Sequence, residues 1–213
     1  ISYPIYQTAT YAHPGVGQST GFDYSRLQNP TKEHLEKIVA SLEHGCDALA
    51  LSTGMAAITL LMELFKPGDH LIVDSDLYGG SIRLFRNVSR KNGITFSAVD
   101  SYQDDVESFV KEETKAIYIE TPTNPMMNVT DIGKLSEIAK RHNLLLIVDN
   151  TFLSPYFQNP LTLGADIVVH SGTKFLGGHN DTLAGFLVTN REEISEQLRF
   201  LIKTTGAGLA PFD

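Results

Sequence analysis

From about residue 46 onward, short apolar runs alternate with longer segments in which apolar residues recur at helical spacing. Residues 48–51 form the first short run, followed by Ser52-Thr53-Gly54 and an apolar helical stretch over 55–65. Lys66-Pro67-Gly68-Asp69 breaks that helix, because Pro removes a donor and Gly relaxes the backbone. The same alternation predicts strands at 70–74, 95–100, 115–120, 144–150, 167–171 and 183–189. Between and after them it predicts helices near 81–92, 104–113, 132–142 and 192–203.

Strands separated by crossover helices pair in parallel, and strands that are apolar throughout are covered on both faces. The pattern therefore predicts an α/β fold: a doubly wound, mostly parallel sheet with helices on both faces. In such sheets ligands lie beyond the carboxyl ends of the strands. Ser52–Gly54, Tyr78, Asn124, Asp149 and Lys174 all fall just past a predicted strand, so separate strands deliver them to one edge. Residues 1–45 read differently. They hold many Tyr, Pro, Gly and Thr without a clear period until a first helix, and are expected to be an arm, ordered or flexible, and not a domain. Residues 46–213 are expected to form the large domain.

Composition narrows the field. The 213 residues carry a net charge of −8 with no basic cluster, which argues against nucleic acid as a partner. The longest apolar runs are far too short to span a bilayer, and no basic-then-apolar leader precedes them. One cysteine, Cys46, has no intramolecular partner for a disulfide, which fits a reducing, cytoplasmic setting. The chain starts without methionine and stops soon after its last helical segment. It is therefore expected to be part of a longer polypeptide.

Several residues read as chemistry rather than packing. Asp149 directly follows Leu-Leu-Leu-Ile-Val, where a carboxylate is costly unless it meets a cation. Alone it reads equally as a cap or a loop hydrogen bond. Lys174, in His-Ser-Gly-Thr-Lys-Phe-Leu-Gly-Gly-His-Asn-Asp, ends another apolar run. Alone it reads as a snorkelling surface lysine. Together they suggest an acid for a pyridine nitrogen and an amine for an aldehyde, the two needs of pyridoxal 5'-phosphate. Gly54 and Met55 open a helix whose amides suit a phosphate, and the hydroxyls of Ser171 and Thr173 flank the lysine. Tyr78 offers a flat ring for stacking. Asn124, between two prolines, is placed to bond a phenolic oxygen or simply to form an Asn-Pro turn. Arg26 is either a surface arginine or an anion clamp. His170, His179 and Asp181 have suggestive spacing, but no second ligand cluster accompanies them. No metal is expected, and the two histidines are read as orienting the loop around Lys174.

At this point the motifs resemble a family. Tyr-Ser-Arg-Leu-Gln-Asn-Pro-Thr (24–31), Ser-Thr-Gly-Met-Ala-Ala (52–57), Leu-Tyr-Gly-Gly (77–80), Glu-Thr-Pro-Thr-Asn-Pro (120–125), Val-Asp-Asn-Thr-Phe (148–152) and the lysine motif stand in the order found in the Cys/Met-metabolism pyridoxal-phosphate enzymes. That group includes cystathionine γ-synthases, cystathionine β- and γ-lyases, methionine γ-lyase and O-acyl-homoserine sulfhydrylases. The resemblance implies the large domain of fold-type-I enzymes, with an N-terminal arm that contacts a neighbouring subunit and the family's smaller C-terminal domain absent from this chain. It implies that Lys174 carries the cofactor and moves protons on an amino-acid substrate, with Asp149 at the pyridine nitrogen and Tyr78 on the ring. Gly54, Met55, Ser171 and Thr173 would hold the phosphate, Asn124 would sit by the phenolic oxygen, and Glu120 would support the loop from behind. Tyr24 and Arg26 would reach the phosphate of a neighbouring subunit, in a tetramer of paired dimers. The implied activity is transsulfuration on cystathionine. Methionine γ-lyase or sulfhydrylase activity, a fold-type-I aminotransferase and a non-catalytic cofactor-binding fragment are the alternatives.

Overall fold

The computed structural model describes residues 2–213. Seven strands form one sheet: β1 (Asp47–Leu51), β2 (His70–Asp74), β3 (Thr95–Val99), β4 (Thr114–Glu120), β5 (Leu145–Asp149), β6 (Ile167–Ser171) and β7 (Gly185–Thr189). Their spatial order is β1-β7-β6-β5-β4-β2-β3. The pairs β2–β3, β2–β4, β4–β5 and β5–β6 are parallel, so the sheet is mostly parallel, as the sequence predicts. β7 is the exception, antiparallel to both β6 and β1. The physical reason is local: residues 172–184 between β6 and β7 hold only turns, and a chain without a crossover helix returns antiparallel.

Helices cover both faces. α1 (Pro30–Leu42) and α4 (Ile132–Arg141) supply Val39, Leu135 and Ile138 to one core layer, against Ile117, Leu146 and Val168. α2 (Gly54–Met62), α3 (Gly79–Leu84) and α6 (Glu192–Thr205) supply Leu61, Leu84 and Leu198 to the other, against Tyr118, Ile147 and Val169. α5 (Ser154–Phe157) is a single turn after β5. α1 starts because the Asn29 side chain caps the Thr31 amide at 3.0 Å and Pro30 has no donor to lose. α2 is apolar all round and sandwiched between the sheet and α6, with Leu60 and Leu61 at 2% and 0% exposure.

Two predicted helices shorten. The one near 104–113 is a 3₁₀ turn at Val106–Phe109. Acceptors there go to local turns, with Asp104 Oδ2 taking the Asp100 N–H at 3.0 Å. The one near 81–92 begins two residues earlier as α3 and widens into a π-turn at Phe85–Ser89, where the Arg90 amide donates to Phe85 O at 3.0 Å. The arm before α1 has no helix or strand of its own, but folds back: the Tyr6 amide donates to Thr31 Oγ1 at 2.9 Å and the Tyr3 ring stacks on His34 at 4.1 Å. After α6, Gly208 bridges to Leu51 beside β1.

Candidate active site

Six strands run in one direction, so the carboxyl ends of β1, β2, β4, β5 and β6 share an edge. A cavity of about 570 Å³ opens there. Each side chain reaches it for a local reason. β1 ends at Leu51, and Thr53 caps α2 by accepting the Ala56 N–H at 2.9 Å. The chain turns tightly enough that a Cβ on Gly54 would stand 2.8 Å from the Ser171 Cβ, and one on Gly185 would collide with Thr53 O. Only glycine permits these approaches. The amides of Gly54 and Met55, the first of α2, have no acceptor among the described residues and point along the helix axis into the cavity.

From β6 come Ser171, Thr173 and, in the turn that follows, Lys174. The Ser171 hydroxyl is free of hydrogen bonds to other described residues. That of Thr173 clasps Ala184, donating to its carbonyl at 3.3 Å and accepting its amide at 3.1 Å. Lys174 is exposed to the cavity, and no ion pair among the described residues includes it. Tyr78 lines the cavity with 48% of its surface open. Its backbone N–H donates to Glu120 Oε2 at 2.7 Å. Asn124 lines it from the loop after β4, whose Pro122 and Pro125 both follow cis bonds.

Asp149 closes the floor at 7% exposure. It accepts the Thr151 amide at 3.1 Å, the Thr151 hydroxyl at 2.6 Å and the Tyr118 hydroxyl at 3.3 Å. Burial raises its pKa, and these donors and the nearby His170 offset that only in part. No ion pair among the described residues includes Asp149. Glu120 stands beside it in register on β4, and burial with the Asp149 charge pushes its pKa up to about 8.

Eight of the ten residues expected to hold the cofactor therefore line one cavity, Lys174, Asp149, Tyr78, Asn124, Gly54, Met55, Ser171 and Thr173, and Glu120 lines it with them. Tyr24 and Arg26 do not. Arg26 lies over the Tyr24 ring, 5.1 Å from its centroid, and donates to Lys203 O at the end of α6. The reading of His170 as a loop-orienting residue needs correction. Alternation along β6 turns it to the opposite face, where it is 1% exposed and meets Glu43 Oε1 at 2.6 Å. His179 stays outside, bonded to Gly177 O at 2.9 Å. No metal-competent cluster of three such residues occurs among the described residues. Sequence reading missed Tyr118 and Thr151, which hold Asp149. A threonine two residues after an aspartate is an Asx-turn signal; a tyrosine inside an apolar strand gives none beyond its hydroxyl.

Comparison with known proteins agrees with this geometry. The profile of the family described as Cys/Met metabolism PLP-dependent enzyme matches residues 1–213. The chain is 53% identical, over its whole length, to a Bacillus subtilis cystathionine gamma-synthase/O-acetylhomoserine (thiol)-lyase. It is 51% identical to a cystathionine gamma-lyase of the same organism. It covers 57% and 56% of those two proteins, and so spans little more than half the length of these relatives. A crystal structure of cystathionine gamma-lyase from Lactobacillus plantarum complexed with L-serine superposes over 99% of this chain and 55% of that one, with TM-score 0.97 and 46% identity. A match that runs from the first residue to the last, and identity at half of all positions, places this chain in the Cys/Met metabolism PLP-dependent enzyme family.

Proposed function

We propose that the polypeptide carrying this chain is a transsulfuration enzyme that makes or breaks a C–S bond of cystathionine-type amino acids. The observation that supports this most is the set of unmet needs around one cavity. Among the described residues Lys174 and Asp149 join no ion pair, and the first amides of α2 have no acceptor. Each corresponds to one part of pyridoxal 5'-phosphate, the cofactor of the family: aldehyde, ring nitrogen and phosphate. The residues present fit the group.

When bound, the cofactor supplies an aldehyde that condenses with amines and a ring that accepts the electron pair left at an amino acid's α carbon. The protein's part is positioning and proton handling. Lys174 Nζ would hold the cofactor between turnovers, take the α proton, give a proton to a departing side chain and accept one from an arriving thiol. Asp149, fixed by Thr151 and Tyr118, keeps a negative charge at the ring nitrogen. The Tyr78 ring covers one face, and Asn124 is read as the partner of the phenolic oxygen. The Gly54 and Met55 amides and the Ser171 hydroxyl bind the phosphate. Thr173 joins them once its proton turns away from Ala184 O. Phe152, Phe175 and Leu183 give the cavity an apolar wall that limits water. Tyr24 and Arg26 are read as serving the phosphate of a neighbouring copy, which makes the assembly a homo-oligomer of cytoplasmic type, a tetramer of paired dimers. No helix of the described residues is long and apolar enough to cross a membrane.

The same cavity serves O-acyl-homoserine sulfhydrylase chemistry, and this second reading is retained because the B. subtilis relative is named for both activities. Cofactor-loaded protein is expected to release thiol from L-cystathionine, or to form cystathionine from an O-acyl-homoserine and cysteine. Transamination with neither sulfur reaction would overturn the proposal.

A further inference from the structure

The reading of the cavity gives Glu120 a supporting place behind the loop but no part in the chemistry. Glu120 and Asp149 are register partners at the carboxyl ends of β4 and β5, on the face that also carries Tyr118. They are 4% and 7% exposed, and neither joins an ion pair among the described residues. The groups around Glu120 do not neutralise it. Asp74 at the end of β2 and Asp76 in the following turn are acidic, Tyr118 is neutral, and Lys174 is the one cation lining the cavity. Two buried carboxyls on paired strand ends in such surroundings resist ionising together, so one of them keeps its proton longer.

Hydrogen bonding decides where that proton sits. Asp149 accepts three donors, two from Thr151 and one from Tyr118. Glu120 accepts one, the Tyr78 amide on Oε2, and Oε1 has no partner among the described residues. Donors stabilise charge, so the charge belongs on Asp149 and the proton on Glu120.

We propose that Glu120 is the proton-bearing member of this pair, a positioning residue that leaves Asp149 as the single anion at the cofactor ring and ties Tyr78 to the sheet edge. This rests on the reading of the cavity as a pyridoxal-phosphate site. Burial and the Asp149 charge, which push the Glu120 pKa up to about 8, agree with it. A neutral carboxyl still accepts the Tyr78 N–H, so the ring keeps its place without a second charge beside Asp149.

The test follows both carboxyls by carbon-13 NMR and the Tyr78 amide by nitrogen-15 NMR, in the cofactor-free chain. The Glu120 carboxyl and the Tyr78 amide should titrate together at about pH 8, with Asp149 titrating below them. Glu120→Gln should remove the Tyr78 step and move the Asp149 midpoint by less than about one unit, since it replaces a group already neutral there. Glu120→Ala should also remove the hydrogen-bonded position of the Tyr78 amide at every pH. Glu120 ionised at pH 6, or an Asp149 midpoint that falls by more than about one unit in Glu120→Gln, would overturn the inference. Cofactor attachment separates the two claims. If borohydride fails to fix pyridoxal phosphate on Lys174, the proposed function falls while the titration still decides Glu120. If the label is found and Glu120 is ionised at pH 6, the inference alone falls.

Discussion

Two groups of buried charge sit on the same sheet and are built in opposite ways. At the β1 edge, Arg199 donates to both carboxylate oxygens of Asp47 at 2.6 and 2.8 Å, to Glu36 at 2.7 Å and to Ala48 O at 2.7 Å. Burial pushes the Asp47 carboxyl up, yet the Arg199 and Ser195 donors outweigh it and leave the pKa below its ordinary value. At the β5 end, burial pushes Asp149 up and its donors do not outweigh it. One cluster pairs its carboxylates with an arginine of the same chain, although burial still holds the Glu36 carboxyl above its ordinary range, and acts as scaffold, joining α1, β1 and α6. The other leaves a lysine, a carboxylate and two amides open around a cavity. Unmatched buried charge is a cost that stability alone would remove, so where it persists it marks a place built for something else.

That contrast breaks most visibly at Asp149. Asp149→Ala should lower turnover of the cofactor-loaded enzyme by orders of magnitude, measured as thiol release, even where cofactor is still bound. Near-normal turnover would put Asp149 with the scaffold.

Arg199→Met should do the reverse. It strands Glu36 and Asp47 and should lower the unfolding free energy by about 3 kcal/mol, since the arginine is itself partly exposed. Lys174→Met, read by the same urea titration of the cofactor-free chain, should stay within about 0.5 kcal/mol. Equal losses at the two positions would erase the distinction between scaffold and site.

Next in size is the shared site. Lys174→Ala and Arg26→Ala proteins should each be inactive. Mixing them with subunit exchange should recover about a quarter of the wild-type sites, because half the dimers are hybrids with one intact site of two. No recovery under exchange would return Arg26 to a purely internal role beside Lys203.

A further effect is on stability against pH. The folded Glu120 pKa is raised, so its contribution is intact below about pH 4.3 and is lost as pH rises towards about 8. Glu120→Gln in the cofactor-free chain should therefore be close to neutral at about pH 4 and progressively more stabilising as pH rises towards about 8, levelling off above it. A stabilisation independent of pH would mean that packing, not charge, was relieved.

Much of the sheet was legible because its strands are short apolar runs between turn residues, and period and punctuation are local signals. The direction of β7 was not, since it depends on a connection of turns that carries Lys174. Nor was the length of the helix near 104–113, where aspartates compete for the backbone amides. Site residues that end strands were legible as polar groups at apolar run ends. Tyr118 and Thr151 were not, because what matters is the Asp149 carboxylate they meet, on the same strand face or two residues away. His170 shows the limit in the other direction: its place in the lysine motif suggested the loop, while the alternation of β6 sends it through the sheet to Glu43.

The central claim is that the open charges at Lys174 and Asp149 await one cofactor. Borohydride reduction of pyridoxal-phosphate-loaded protein, followed by peptide mapping, tests it most directly. A pyridoxyl label on Lys174, in the peptide 170–181, is the expected result. A label on another lysine, or none on folded protein with cofactor present, would contradict the account.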